Sequence, residues 1–424
     1  MFKKYILLLL LSFGIVFANA QSAYITSNKT KFLVNGAPYH YIGANYWYAG
    51  LLATSEAGKI RLKNELDFLI NHGVNNLRVL VGAEGSGNII GVQRVGPPLQ
   101  SSQGVFNTDM LKGLDYLLAE MGKRNMKAVL YLSNNWEWSG GFLQYLNWNG
   151  LVADSVLERK LSWDETRDIG SKFYDCAPCL EAYNKQLMLV LNRTNQLTNK
   201  KYTEDEAIMS WEIANEPRPM RPAAIKSYKK WIRSVAATIK TLDKNHLVTI
   251  GTEGYIGTEK MRVYKSIHRD KNINYLTIHI WPKNWQWFKG TDMAKDYESV
   301  IIKTEKYINK HVAVANKLNK PLVIEEFGLP RDHQQYNQQS ATSFRNRYYE
   351  TIFTIWQQSV LSGGPIAGCN FWAFGGTARP IEGQVFWKAG DDYMGDPPME
   401  EQGLNTVFDK DETTWKLILH FLKK

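Results

Sequence analysis

The sequence predicts an α/β protein whose fold is a (β/α)8 barrel, the TIM barrel, with long βα loops forming an active-site cleft. Three observations predict it. Eight short apolar runs alternate with helical patterns, two of these runs end in glutamate, and three long connections follow run ends. Barrels of this class carry their active sites at the carboxyl ends of the strands. An open, doubly wound parallel sheet is the alternative for the same alternation.

The eight apolar runs have the length and composition of buried parallel strands. They cover residues 41–46, 76–81, 127–132, 207–213, 247–250, 275–280, 321–324 and 366–372. The helical patterns cover residues 60–71, 109–124, 180–197, 223–242, 258–269, 295–318, 343–359 and 413–422. Residues 21 to about 40 predict a preceding strand pair, with its turn at Asn35–Gly36.

Three connections between these elements are unusually long. They cover residues 82–106, 133–175 and 373–409, and each follows the end of a predicted strand. They should therefore stand over the same face of the barrel and form the walls of a cleft. No linker or repeat marks a second domain, so we expect residues 21–424 to form one catalytic domain.

The first 20 residues have the pattern of a secretory signal peptide. Two lysines precede an apolar run over residues 5–17, and the segment ends in Ala-Asn-Ala. This run is shorter than the roughly 20 residues that a membrane-spanning helix needs, and no longer run follows. We expect cleavage near Ala20/Gln21, export to a periplasm or out of the cell, and no membrane span.

Composition narrows the class of partner. The formal charge of +10 is spread along the chain, whereas a nucleic-acid site would require basic runs or a known motif. The chain has 14 Trp and 22 Tyr, and aromatic faces hold sugar rings, although large cores also use aromatics. We expect a carbohydrate substrate, no nucleic acid and a monomer.

The three cysteines divide into a pair and a single residue. Cys176 and Cys179 form a CxxC motif, and Cys369 lies in a predicted strand. Zinc would need further ligands at suitable spacing, which the sequence lacks. A thioredoxin-like context for a redox role is also missing. In an exported protein the pair is therefore interpreted as a local disulfide, with Cys369 a buried small residue.

The fourth and seventh predicted strands run into carboxylates. Asn215 and Glu216 follow the fourth strand, and Glu325 and Glu326 end the seventh. Retaining glycosidases use two carboxyl groups about 5–5.5 Å apart. Glu216 suits the acid/base, for which we expect a raised pKa. Glu326 suits the nucleophile, and its neighbour Glu325 should point to the opposite side of the strand. Salt bridges at the barrel rim are the alternative for both.

The motifs WEIANEPRP, TIGTEG, PLVIEEFGLPRD and NFWAFGG resemble glycoside hydrolase family 5, and within it the endo-β-1,4-mannanase subfamily (subfamily 7). The resemblance covers nearly all of residues 21–424, and each motif falls in its expected strand. It implies a retaining double displacement with no metal and no cofactor. It also implies that Glu326 is the nucleophile and Glu216 the acid/base.

The resemblance implies roles for five further residues. It places Arg78 beside the nucleophile, where a fixed cation keeps a carboxylate ionised. It places Asn215 at the 2-hydroxyl of the −1 sugar and His279 near the acid/base. It makes Trp372 the platform under the −1 sugar, and Arg218 a leaving-group contact that favours mannan over cellulose.

Other candidates rest on their position after strands. Asn135 and Trp136 should line the cleft, with loop packing as the alternative, and Glu253 is a third carboxylate at the rim. Trp281 stands where the family usually has a tyrosine that donates a hydrogen bond to the nucleophile. Its indole N–H can still donate but cannot accept or titrate. Further candidates for extending the cleft are Trp285, Trp287, Trp387 and the loop DDYMGDPPMEEQG.

These observations predict an exported, retaining endo-β-1,4-mannanase that acts on internal bonds of mannan, glucomannan or galactomannan. A β-1,4-glucanase or an exo-β-mannosidase on the same barrel is the alternative within this class. A carbohydrate-binding barrel without catalysis is the alternative outside it, and the presence of both carboxylates with their neighbours argues against that one.

Overall fold

The computed structural model describes residues 24–288 and 293–423. The predicted signal peptide, residues 1–20, and its cleavage position near Ala20/Gln21 lie outside the described residues. Eight parallel strands form the central sheet. They are Tyr41–Asn45 (β1), Asn76–Leu80 (β2), Lys127–Tyr131 (β3), Ile208–Glu212 (β4), Leu247–Thr249 (β5), Leu276–Ile280 (β6), Leu322–Phe327 (β7) and Ile366–Phe371 (β8).

The sheet closes into the predicted barrel. Its strand order is β5-β4-β3-β2-β1-β8-β7-β6, and backbone hydrogen bonds join its two edge segments. The N–H of Asn274 donates to the carbonyl of Val248 at 2.8 Å, and the N–H of His279 donates to the carbonyl of Glu253 at 3.0 Å. Every residue of the eight strands is buried, as expected for parallel strands enclosed by helices. The open-sheet alternative is therefore excluded.

Helices follow the strands on the outside of the barrel, as predicted. They are Ala49–Leu52, Glu56–Asn71, Thr108–Lys123, Gly141–Trp148, Asp154–Leu157, Trp163–Gly170, Ala177–Leu191, Ile225–Leu242, Met261–His268, Met293–Leu318, Ser343–Ser362 and Glu412–Leu422. No described helix has both the length and the apolar character needed to cross a membrane.

The predicted helix over residues 180–197 differs most from the observed one, Ala177–Leu191. It begins earlier because the Cys176 side chain accepts from the N–H of Cys179 at its first turn. It ends earlier because Asn195 diverts the chain: its side-chain oxygen accepts from the backbone N–H of Leu197 at 2.9 Å. Such local side-chain hydrogen bonds compete with helix formation.

An antiparallel sheet closes the bottom of the barrel. It has three strands, Ile25–Asn28, Lys31–Val34 and Ala37–Tyr39, where the sequence predicted two. Phe32 is fully buried and packs edge-to-face against Tyr275 at 5.2 Å. Because this end is filled, the opposite end, where the strands finish, is left for the cleft.

The long connections have internal structure. The one after β2 carries the short strands Asn88–Ile89, Val92–Gln93, Gln100–Ser102 and Val105–Phe106, and the one after β8 pairs Phe374–Gly376 with Val407–Phe408. In the β8 connection, buried Asp396 accepts from the N–H of Gly403 at 2.9 Å and of Thr406 at 3.1 Å. The predicted disulfide between Cys176 and Cys179 is present, with an S–S distance of 2.01 Å, and Cys369 is free and buried.

Candidate active site

Two buried glutamates face each other at the carboxyl ends of β4 and β7. Glu216 is 5% exposed and Glu326 is 2% exposed. Carboxylate oxygens of the two residues lie within 4.8 Å of each other and of a ring nitrogen of His279. This separation is close to the roughly 5–5.5 Å typical of retaining glycosidases, and it leaves no room for a water molecule in line between carboxylate and sugar.

The backbone at Glu216 is in the left-handed region, with φ of 48°. A bulky residue adopts this conformation at a cost, and such strain concentrates at functional sites. The N–H of Glu216 donates to the carbonyl of Gly251 at 2.8 Å, and the indole Nε1 of Trp136 donates to Glu216 Oε2 at 2.6 Å. Strand β4 therefore delivers this carboxylate through a turn that two neighbouring segments hold in place.

Arg78, on β2, organises the floor of the site with all three of its guanidinium nitrogens. Nη1 donates to Glu326 Oε1 at 2.5 Å and to Asn45 Oδ1 at 3.1 Å. Nη2 donates to Asn215 Oδ1 at 2.7 Å, and both Nε and Nη2 donate to the carboxylate of Glu212. This cation fixes one oxygen of Glu326 through a short, charge-assisted hydrogen bond.

Strand β7 places both of its glutamates on the interior side, so the expectation that Glu325 points away is wrong. The pairing of β6 with β7 skips one residue: Ile278 pairs with Ile324, and His279 pairs with Glu326. A bulge of this kind breaks the alternation of side chains. Glu325 accordingly lies below the site, with Oε2 3.4 Å from His279 Nε2, and only Glu326 lines the cleft.

His279, on β6, is surrounded by three carboxylates. Its Nδ1 lies 2.6 Å from Glu216 Oε1 and 3.3 Å from Glu326 Oε2. Burial opposes protonation, but the charge of Glu326 and the hydrogen bonds to Glu216 and Glu325 raise the pKa of His279 well above its usual value. These carboxylates therefore favour the protonated ring, in which Nδ1–H is placed to donate to Glu216 Oε1.

This proton changes the expected titration of Glu216. Burial alone would raise the pKa of Glu216, but the hydrogen bond and charge of His279, with the charge of Arg218, outweigh burial and lower it. The raised pKa expected from the sequence is therefore wrong for the unliganded site. The sequence could not show that the neighbouring histidine would be charged.

The two tryptophans at the strand ends lie beside the nucleophile. Trp281 Nε1 donates to Glu326 Oε2 at 3.1 Å, which is the contact that the sequence left open for this position. Trp372 lines the cleft, packs edge-to-face on Trp281 at 5.6 Å, and has an indole nitrogen without a partner among the described residues. Glu326 is thus held by Arg78 on one oxygen and by Trp281 on the other.

On the side of Glu216, the rim carries an ion pair. Arg218 donates from Nε and Nη2 to both oxygens of Glu253, at 2.5 and 2.6 Å, and stacks over Trp136 at 4.9 Å. Burial raises the pKa of Glu253 to about 7, against the opposing charge of Arg218. The prediction that Asn135 lines the cleft is wrong, because Asn135 is not among the lining residues. It is buried, and its neighbour Asn134 accepts from Asn215 instead.

The cleft has a volume of about 550 Å³ and contains residues that sequence reasoning missed or named only loosely. Trp163 is half exposed and lies beside Trp136 at 6.2 Å. Glu400 comes from the connection after β8, and its Oε2 is buried without a partner among residues 24–288 and 293–423. Burial raises the pKa of Glu400 to about 8, as does the charge of Asp396. The cleft is lined by Trp136, Trp138, Trp163, Asn215, Glu216, Arg218, Glu253, Ile256, Trp281, Asn284, Trp285, Gln286, Glu326, Trp372, Pro397, Met399 and Glu400.

The donor set of the site suits proton transfer better than metal binding. Among the described residues, one group of three His, Cys, Asp or Glu side chains is close enough to share an ion, and it consists of Glu216, His279 and Glu326. A metal ligand must be deprotonated, whereas the carboxylates around His279 raise its pKa and so favour its protonated form.

Comparison with known proteins agrees with this geometry. A crystal structure of a glycoside hydrolase family 5 mannosidase from Rhizomucor miehei is 30% identical, covers 95% of this chain and 97% of its own, and superposes with a TM-score of 0.85. Mannan endo-1,4-beta-mannosidase 4 of Solanum lycopersicum is 29% identical over 84% of each chain. Mannan endo-1,4-beta-mannosidase 1 of Arabidopsis thaliana is 28% identical over 87% of each. The family model described as GH family 5 beta-mannosidase-like matches residues 22–424. The chain therefore belongs to the β-mannosidase-like group of glycoside hydrolase family 5.

Proposed function

We propose that this protein is a retaining endo-β-1,4-mannanase that hydrolyses internal β-1,4-mannosidic bonds of mannan, glucomannan or galactomannan. The observation that carries the proposal is the pair of buried carboxylates, Glu216 and Glu326, within 4.8 Å of each other. A pair at this distance suits direct attack on a sugar carbon followed by hydrolysis of the resulting ester. The names of the plant relatives support mannan as the substrate.

In the first step Glu326 attacks the anomeric carbon while Glu216 protonates the departing oxygen. Arg78 and Trp281 each hold one oxygen of Glu326, so the nucleophile is oriented before substrate binds. The bond from C1 to the glycosidic oxygen breaks, the ester to Glu326 forms, and the shortened chain leaves with the proton. Positioning of this kind converts binding energy into rate.

The proton for this step is stored on His279 in the resting enzyme. It reaches the glycosidic oxygen through Glu216, whose Oε1 lies 2.6 Å from His279 Nδ1. When Glu326 becomes an ester, it loses the charge that most favours protonated His279. In the second step Glu216 accepts a proton from water, the hydroxide cleaves the ester, and the renewed charge on Glu326 restores the proton to His279.

We further propose that the enzyme is exported and that it binds several sugar rings of a polysaccharide. The pattern of residues 1–20 supports export of the mature chain from Gln21, and we propose that the exported chain acts as a monomer. Trp136, Arg218 and Trp163 form a wall beyond Glu216, on the leaving-group side. Aromatic faces with an intervening guanidinium suit consecutive sugar rings of a polysaccharide.

The test is product analysis on linear mannan, galactomannan and cellulose side by side. We expect short manno-oligosaccharides from both mannans, a rapid fall in viscosity and little release from cellulose. If NMR shows that the first product formed is the β-anomer, this would support hydrolysis with retention of the anomeric configuration. Preference for cellulose would favour a β-1,4-glucanase, and binding without turnover would favour a carbohydrate-binding barrel.

An exo-β-mannosidase is the second candidate, and one observation favours it. Pro397, Met399 and Glu400 of the connection after β8 stand in the cleft with Glu326. The unpartnered Oε2 of Glu400 is available to accept from a sugar hydroxyl. A loop in this position would suit a chain end. Release of mannose and mannotriitol from reduced mannotetraose, with no mannobiose or mannobiitol at early times, would establish this alternative.

A further inference from the structure

A concave, positively charged surface lies outside the active-site cleft. It has a volume of about 690 Å³ and lies where helix Ile225–Leu242 faces helix Met261–His268. We call it the basic groove. It is lined by Pro222, Ala223, Ile225, Lys226, Lys229, Lys230, Arg233, Lys260 and Arg262.

The cations of the basic groove are almost without counter-ions. Arg233 lies 4.0 Å from Asp270 and donates to Ser266 at 3.3 Å. The side chains of the other five form no ion pair or hydrogen bond with any residue in the part of the chain that the structure describes. Helix Ile225–Leu242 itself contains no acidic residue. Elsewhere on the surface, exposed lysines such as Lys112 pair with an acid one turn away.

This arrangement is unfavourable for the helix that carries it. Lys226, Lys229 and Lys230 lie three and four residues apart on one face, where like charges repel. They also lie in the first turns, where the positive end of the helix dipole disfavours cations and favours acids. Helix stability therefore does not explain these residues, whereas an anionic ligand bound across them would.

We propose that the basic groove binds a linear acidic polysaccharide of the polyuronate class. Six cations along a groove match a polymer with regularly spaced carboxylates, and Pro222 and Ile225 supply apolar contact for sugar rings. No aromatic residue lines the groove, so it lacks the stacking platforms that single-stranded nucleic acids use. A flat membrane would meet the rim of a concave surface rather than its interior.

The groove begins at Pro222, on the connection after β4 that also carries Arg218 of the active-site rim. A polyuronate held there would keep the enzyme on an acidic polysaccharide matrix while the cleft remains free. The inference does not depend on which β-glycan the cleft hydrolyses, because no residue of the groove lines the cleft.

The test measures binding of the full mature chain to polygalacturonate by isothermal titration calorimetry, at low and at high sodium chloride concentration. We expect binding at low salt that weakens as salt is added. The variant Lys226→Gln/Lys229→Gln/Lys230→Gln should bind about tenfold more weakly, because each exposed ion pair contributes a few-fold to affinity. Its turnover of neutral mannan should equal that of the wild type, which would show that it is folded.

The matched control removes the same number of charges elsewhere. Lys112, Lys185 and Lys416 are exposed and lie on three other helices, and their triple change to Gln should leave polygalacturonate affinity unchanged. Equal loss in both triple variants, or no binding by the wild type, would overturn the proposal. Tighter binding to phosphatidylglycerol vesicles or to single-stranded DNA than to polygalacturonate would overturn the choice of ligand.

Discussion

Replacement of Glu84 by glutamine should remove a large part of the pH dependence of folding stability. Glu84 is fully buried under the connection after β3, and it accepts from Ser133 at 2.9 Å, from Gln186 at 2.9 Å and from the N–H of Gly141 at 3.1 Å. Burial raises the pKa of Glu84 to about 7 against these hydrogen bonds, from its ordinary value of 4.5.

Because folding raises the pKa of Glu84, the free energy of unfolding should fall as the pH rises. A carboxyl group whose pKa is higher in the folded protein favours folding while it is protonated. Its contribution is fully present below pH 4.5 and is lost as the pH rises through about 7. At about 1.4 kcal/mol per pKa unit, the loss between these limits is about 3 kcal/mol. Alkaline conditions therefore destabilise the fold through this one buried charge.

The assay is urea unfolding at pH 4.5 and pH 8 for the wild type, Glu84→Gln and the exposed-site control Glu382→Gln. The free energy of unfolding of the wild type and the control should fall between the two pH values by about 3 kcal/mol more than that of Glu84→Gln. The amide loses its hydrogen bond from Gly141, so the variant is expected to be less stable at pH 4.5 by about 1–3 kcal/mol. An equal pH-dependent loss in all three proteins would refute the reasoning.

Three further changes test the catalytic assignments. Glu326→Ala should lower kcat on mannan by at least about 10⁴-fold with oligosaccharide binding retained, whereas appreciable turnover would contradict a nucleophilic role. Glu216→Ala should lose about 10²–10⁴-fold on mannan but far less in the burst of phenolate from a dinitrophenyl β-mannoside; equal losses would argue against the acid role. Trp281→Phe should lower kcat/KM by about 10–100-fold through the lost donor to Glu326, and Trp285→Phe, its control, by much less.

The barrel and its catalytic pair could be predicted from the sequence because both depend on local patterns. Apolar runs that alternate with helical patterns specify parallel strands, and the carboxyl ends of parallel strands meet on one face. Glu216 and Glu326 stand directly at such ends, so their proximity follows from topology alone. Arg78 and His279 also stand in strands of the barrel, but their roles were predicted from the resemblance to glycoside hydrolase family 5 and not from topology.

What could not be predicted depends on register and on distant contacts. The bulge that turns Glu325 inward arises from the pairing of β6 with β7, which no single strand encodes. The charge on His279 arises from three carboxylates that come from two other strands. Glu400 enters the cleft from the connection after β8, in which Asp396 accepts hydrogen bonds from Gly403 and Thr406, and a loop of that length has no periodic pattern to interpret.

Arg78 has a consequence for how this enzyme can change. Its guanidinium contacts residues at the ends of β1, β4 and β7, so one side chain both joins strands of the barrel to one another and positions the attacking carboxylate. Lysine has neither the planar fork nor enough donors to replace it. A substitution at Arg78 therefore changes the stability of the barrel and the rate of catalysis together, and neither property can be altered there without the other.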